Sequence, residues 1–174
     1  MPEETTSSPD WWAWSRVPQT LAHQAAWWTC VLVMGWIGPV SMLAFVLLHL
    51  TMTRDEAALE LRLVALSMGI GIALDSLLAV GGLVTYEGSP LVGLSPLWLV
   101  AIWAGFGATL RHSQALFVRT RSHAILTGVL GGPLAYMGGT KLGALSVHGL
   151  SGYVGVGLLW LLAMLALERA IPRT

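Results

Sequence analysis

Charge is scarce in this chain: of 174 residues only 10% are Asp, Glu, Lys or Arg, nine of each sign, and the formal net charge is zero. That balance leaves no basic face for nucleic acid. A single cysteine, Cys30, excludes an intramolecular disulfide and any Cys-rich metal motif. Phe and Tyr number three each, whereas Trp occurs nine times, Gly twenty times and hydrophobic residues make up 55%. With a mean hydropathy of +0.71, the composition is far from that of a soluble domain and points to lipid as the solvent. The glycines fit, because membrane helices tolerate Gly and use it for close packing.

Residues 1–17 are expected to stand apart from a single transmembrane helical domain over 18–174. Met1 to Asp10 is acidic and Ser/Thr-rich, without the basic start and small-residue cleavage site of a secretory signal, and reads as a short disordered tail. Trp11, Trp12 and Trp14, followed by Arg16, have the chemistry of an interfacial anchor.

From Leu21 to Met52 the chain is continuously apolar. One helix through it would be ~48 Å long, well beyond a ~30 Å hydrocarbon core. Gly38-Pro39 lies near its middle, so two short helices are expected, Pro18 to Ile37 and Pro39 to Thr53. A single kinked helix over 18–53 is the alternative. Four more helices follow: Leu61 to Tyr86, Pro96 to Val118, Ser122 to Val147 and Leu150 to Glu168. The fold class is therefore all-α, an integral membrane bundle of six transmembrane helices, or five with the kinked alternative. Eight of the nine basic residues then fall on one side, which places both termini in the cytoplasm by the positive-inside rule.

The exception is Lys141. It lies on the fifth helix, within a run whose Gly131, Ala135, Gly139 and Gly143 recur every four residues as a ridge for close helix packing, with Gly132-Pro133 as a kink. Asp75 is the other isolated charge, since from Leu63 to Leu110 only Asp75 and Glu87 are formally charged. A carboxylate at bilayer depth faces a protein interior or a wet cavity and marks a candidate site. Its helix carries Ser67, Gly71 and Ala79 at the same spacing, a small polar stripe toward the bundle. Asp75 and Lys141 would rise about 21 and 28 Å from the cytoplasmic side, close enough to pair. The alternative leaves Lys141 snorkelling to the outer interface and Asp75 hydrogen-bonded to Ser67 or Thr109.

The histidines give little support for a metal, because neither His-x-x-x-His nor His-Glu-x-x-His occurs. No metal or cofactor is expected. His49 and His112 fall near the cytoplasmic ends of different helices, and Arg111-His112-Ser113-Gln114 is a polar cluster closing one of them. Asp75, Lys141, Tyr136, His112 and His49 are thus the candidate polar residues, intramembrane or interfacial.

Several runs carry a family resemblance: Ser95-Pro96-Leu97-Trp98 with Trp103, Phe106, Thr109-Leu110 and His112-Ser113, then Gly131-Gly132-Pro133-Leu134-Ala135-Tyr136 through Gly139 to Gly143-Ala144. With Trp28, Cys30, His49 and Asp75-Ser76, they resemble the family catalogued as domain of unknown function 2878, over roughly Leu21 to Trp160. The resemblance implies a small bacterial inner-membrane protein, with gene neighbourhoods for modified fatty acid synthesis, including cyclopropane-fatty-acid synthase-like enzymes. Three functions are weighed. The first is a non-enzymatic accessory or scaffold for lipid modification, partnered by membrane lipids and by lipid-modifying enzymes or copies of itself. The second is a small transporter using Asp75, Tyr136 and Lys141. The third is a lipid-active enzyme with His49 and His112 as acid or base. With no catalytic constellation in the sequence, the non-enzymatic role leads.

Overall fold

The first long apolar run folds as two helices. In the computed structural model, which describes residues 16–33, 35–88 and 94–172, α1 spans Val17–Val33 and α2 spans Ile37–Met52. They pack as an antiparallel hairpin with contacts at successive levels. A Cβ on Gly38 would lie 2.6 Å from Cys30 Cα, the rings of His23 and Phe45 are 5.4 Å apart, and Gln19 meets His49 at 3.1 Å. This rules out one kinked helix over 18–53. The break falls just before Gly38-Pro39, and Pro39 sits in the first turn of α2, where a missing N–H has no helical partner to lose.

A single 3-10 turn at Arg54–Glu56 leads into α3, Ala57–Val80. Next come a short strand β1, Val84–Tyr86, and α4, Leu97–Thr109. After a 3-10 turn at Ala115–Val118, α5 spans Arg121–Leu126, capped by the Thr120 hydroxyl, which accepts from the His123 N–H. A π turn at Thr127–Gly131 joins α5 to α6, Gly132–Lys141, so that 121–141 forms one rod. Strand β2, Leu145–Val147, and α7, Gly149–Ala170, complete the described residues. The chain is all-α in class, with six helical rods among the described residues. The acidic tail, Trp11, Trp12, Trp14, the Ser89-Pro90 turn and Arg173 lie outside them.

The rods alternate in direction. Ser67 meets Trp103 and Glu60 meets Arg111 across α3 and α4, while Gly128 and Gly132 meet Leu161 and Trp160 across the fifth rod and α7. Two rods, Arg54–Val80 and Gly149–Ala170, are long and apolar enough to cross a membrane, and α2 and α4 are apolar but shorter.

The first and fourth helices, expected to reach Ile37 and Val118, end at Val33 and Thr109, the latter giving way to turns before the 3-10 segment, and two more stop earlier than the apolar pattern predicts. The third was expected to reach Tyr86 and ends at Val80, and the fifth was expected to reach Val147 and ends at Lys141. Each ends the same way. Gly82 and Gly143 take φ values of 67° and 74°, and Leu83 N–H donates to Leu78 O, as Ala144 N–H does to Gly139 O, at 2.9 and 3.0 Å. Such 6→1 bonds close a helix through a left-handed residue that glycine alone adopts freely. The chain leaves each turn extended, and β1 and β2 pair antiparallel with Val84 opposite Val147 and Tyr86 opposite Leu145. The pair caps one end of the bundle over Gly152, whose Cβ would fall 2.8 Å from Leu83 O.

The close-packed seam on the fifth rod is also not the predicted ridge. Gly128, Gly132 and Gly139 face α7 and Leu145, with a Cβ at Gly132 only 2.4 Å from Trp160. Gly131 is half-buried, Ala135 is exposed and Gly143 lies in the turn. The π turn adds a residue to the helical repeat and rotates the preceding face out of register. Pro133 causes the local disruption, since its ring displaces the carbonyl of Val129. That carbonyl is accommodated against Gly157, where a Cβ would sit 3.4 Å from it.

Candidate functional site

Two buried polar clusters occupy opposite ends of the bundle. At the capped end, Asp75 is fully buried in the last two turns of α3. Trp103 from α4 donates its indole N–H to Asp75 Oδ2 at 2.8 Å. Tyr136 from α6 donates its hydroxyl to Asp75 Oδ1. Tyr86, on the inward face of β1, lies 3.3 Å from the same carboxylate oxygen and 3.2 Å from the Tyr136 hydroxyl, and directs its single proton to one of the two. Both carboxylate oxygens therefore have protein donors, as a buried carboxylate requires. Gly71 makes the geometry possible, because a Cβ there would lie 2.2 Å from the Trp103 ring.

Lys141 does not join Asp75. It ends α6 on the exposed surface, where a cation complements the helix C-terminus. Ser67 and Thr109 also turn elsewhere, donating to Trp103 O and Phe106 O at 2.7 Å each. Tyr136 is the one other sequence candidate that meets Asp75. Trp103 and Tyr86 complete the cluster, and the sequence offered no charge to single them out.

The second cluster gathers the opposite ends of α1, α2, α3 and α4. Glu60, fully buried in the first turns of α3, sits 3.1 Å from His49 Nε2 through Oε2. Its Oε1 lies 2.9 Å from His112 Nε2 and accepts from Arg111 Nη1 at 2.6 Å. Arg111 also grips the exposed Glu56 with two bonds, 3.0 and 3.1 Å. Hydrogen bonding to Glu56 and the nearby carboxylate charges push the guanidinium further above its ordinary pKa. His49 and His112, predicted near one end, are thus brought together, with ring centroids 5.0 Å apart.

Gln19 sets the proton on His49. Its Oε1 accepts from the Ser113 backbone N–H at 3.0 Å and its Nε2 donates to Ala108 O at 3.1 Å. Backbone groups have fixed roles, so the amide cannot be flipped. Nε2 therefore presents its second hydrogen to His49 Nδ1, 3.1 Å away, and the imidazole proton lies on Nε2, facing Glu60. His49, Glu60 and His112 could in principle hold a metal, since their ligand atoms lie within 4.8 Å of one another. The donor set fits poorly: His49 Nε2 carries a proton, and a guanidinium already occupies a Glu60 oxygen. The cluster is a hydrogen-bonded network instead. Sequence reasoning missed Gln19 and Glu60, because each resembles an ordinary polar residue at a helix start.

The remaining histidines stand apart from these clusters. His123 closes the Thr120 cap, and His148 meets Thr85 at 2.8 Å beside the strand pair. No curated protein and no solved structure matches the chain. A family model described as a protein of unknown function (DUF2878) matches residues 16–166, and the chain belongs to that family.

Proposed function

We propose that this is a six-span membrane protein of the bacterial inner membrane that serves, without catalysis of its own, as an accessory component of membrane lipid modification. The observation that carries the membrane assignment is an inversion of burial. Leu150, Val154, Leu158 and Leu162 form a stripe along α7 that is 52% to 80% exposed, and Val40, Leu43 and Leu47 do the same on α2. Gln19, His49, Glu60, Ser67, Asp75 and Thr109 are meanwhile all sealed inside. Lipid is the solvent that such a surface matches. α1, α2 and α4 are about 20–26 Å long at 1.5 Å per residue, so the bilayer around them would thin. The alternating rods gather Arg16, Arg54, Arg111, Arg121 and Arg169 at one end, which the positive-inside rule assigns to the cytoplasm.

The clusters themselves favour the non-catalytic role. A general base needs a lone pair directed at a substrate proton, and the oxygens of Asp75 and Glu60 are already engaged by Trp103, the two tyrosines, His49, His112 and Arg111. Contact with lipid is supported by an apolar cleft of about 460 Å³, lined by residues such as Val40, Leu43, Leu61, Met68 and Val100. The link to lipid modification rests on the family resemblance.

The test is a lipid profile of the host membrane with the wild-type chain, a deletion, and the variants Asp75→Asn, His112→Ala and Lys141→Met. Deletion is expected to shift the fatty-acid profile, and variants that still insert are expected to restore it. An unchanged profile on deletion would remove the lipid role. A shift reproduced by well-inserted His112→Ala would tie His112 to lipid chemistry or to its direct support.

A further inference from the structure

A second cavity lies beside the Asp75 cluster, on the far face of Trp103, between α1, α4, the π turn and α7. Its volume is about 530 Å³, within the range of small-molecule sites. The inner wall is aromatic, with Trp103 and Trp160 centroids 5.0 Å apart and Phe106 5.9 and 6.2 Å from them. Trp28 and Phe117, 47% and 39% exposed, place its rim at the outer surface. Thr127 and Gly131 bring the π turn into the lining, and such turns recur at functional sites because they open the helical backbone locally.

Three polar atoms among the residues lining this cavity are buried and without a partner: His23 Nε2, Gln114 Oε1 and Trp160 Nε1. His23 itself is only 4% exposed. Buried polar atoms without partners are rare enough to need a reason, and a missing ligand is one. Gln114 Nε2 lies 3.4 Å from His23 Nδ1. Whichever way the amide is turned, that contact leaves the pair with at least one donor and one acceptor to offer, and the Trp160 indole adds a donor. A hydroxyl, which both donates and accepts, satisfies the pair in either orientation. A carbonyl oxygen satisfies the indole.

No Asp, Glu, Lys or Arg lines the cavity among the described residues. A phosphate or carboxylate brought here would lose its hydration with no opposite charge in return. We infer that the cavity binds a neutral acylglycerol from the surrounding bilayer, its acyl chain against the aromatic wall, its hydroxyl at His23 and Gln114 and its ester carbonyl at Trp160. The inference rests on the membrane assignment above and extends it to a ligand class.

The experiment uses the full chain in nanodiscs of phosphatidylethanolamine and phosphatidylglycerol, with a diacylglycerol probe carrying a diazirine on one acyl chain. Before labelling, native membranes are washed with carbonate, and a chain released by that wash overturns the membrane assignment itself. For a chain that stays embedded, photolabelling is expected in the peptides containing Phe106 and Trp160. Unlabelled dioleoylglycerol is expected to compete about tenfold better than trioleoylglycerol, which lacks the hydroxyl, as losing one buried hydrogen bond predicts. Gln114→Leu should remove most of that difference, and Ala135→Trp, at the cavity wall, should reduce labelling outright. Labelling spread evenly over the lipid-facing helices, or equal competition by dioleoylglycerol, trioleoylglycerol and dioleoylphosphatidylglycerol in the wild-type chain, would overturn the cavity assignment and leave the membrane assignment standing.

Discussion

Gln19 locks His49 into a single tautomer. The amide of Gln19 is fixed by Ser113 N–H and Ala108 O, so it can only donate to His49 Nδ1 and leaves the imidazole proton aimed at Glu60. One uncharged side chain on α1 thereby ties the end of α4 to the end of α2, and through His49 to the start of α3. On the proposed membrane assignment, where lipid solvates the helices as readily as protein does, such polar contacts specify register where apolar contacts alone would not.

Gln19→Leu should therefore cost more than the loss of one surface amide. It leaves Ser113 N–H, Ala108 O and His49 Nδ1 without their present partner, and one buried group so orphaned is worth about 1–3 kcal/mol. Cys30, the chain's one cysteine and fully buried, provides the readout, since a thiol-reactive fluorophore in detergent reports unfolding as Cys30 becomes accessible. The midpoint for Gln19→Leu should fall clearly below that of Thr20→Leu, an exposed neighbour. Equal midpoints would mean that the Gln19 bridge contributes nothing.

Asp75 and Trp103 should be coupled. An Asn at position 75 can still accept from Tyr136, but its NH₂ then faces the Trp103 N–H, donor against donor. Trp103→Phe removes that indole N–H. The two substitutions together should destabilise by less than the sum of their separate effects, with a coupling of about 1 kcal/mol by the same thiol assay. Strict additivity would show that the 2.8 Å contact carries no energy.

Much of this architecture is legible in the sequence, and the exceptions have physical causes. The helices are readable from apolar runs, and Gly38-Pro39 marks the division of the first run to within a few residues: both lie in the first turn of α2, where the Pro39 ring opposes a helix running on from α1. Hydropathy could not place the ends of α3 and the fifth rod, because Val84-Thr85-Tyr86 and Leu145-Ser146-Val147 carry no charge and continue the uncharged runs of the helices they follow. Gly81-Gly82 with a β-branched run behind it was the available signal. Asp75 stood out as an isolated charge, yet its partners are neutral donors from three other elements, Trp103, Tyr86 and Tyr136. A search for an opposite charge led instead to Lys141. The buried position of Glu60 was illegible for the reverse reason: near Arg54 and Arg62 it looks like loop charge, and only the fold shows that His49, His112 and Arg111 close over it.

Gly71 and Gly69 differ sharply although they lie two residues apart on one helix. A Cβ at Gly71 would lie 2.2 Å from the Trp103 ring, whereas at Gly69 nothing lies within 4 Å. Gly71→Ala must move an indole that is only 2% exposed and bonded to Asp75, so overpacking should cost about 1–3 kcal/mol. Gly69→Ala should be neutral or mildly stabilising, because alanine is the better helix former. Thermal midpoints of the two variants decide it, and a Gly71→Ala protein as stable as Gly69→Ala would show that Trp103 has room to shift.

The proposed orientation in the membrane can be tested residue by residue. Arg54 precedes α3 and Thr85 follows it, while Arg121 and Lys141 bound the fifth rod, and all four are exposed. The rod over 121–141 is ~30 Å long, enough to span the hydrocarbon core. In a Cys30→Ala background, single cysteines at these positions are treated in intact cells with a membrane-impermeant maleimide. Thr85→Cys and Lys141→Cys should react at once, and Arg54→Cys and Arg121→Cys only after the membrane is permeabilised. The reverse pattern would keep the crossings but invert the protein, contradicting the arginine bias. Reaction of Arg121→Cys and Lys141→Cys from the same side would show that the fifth rod does not cross, and the six-span arrangement would fall with it.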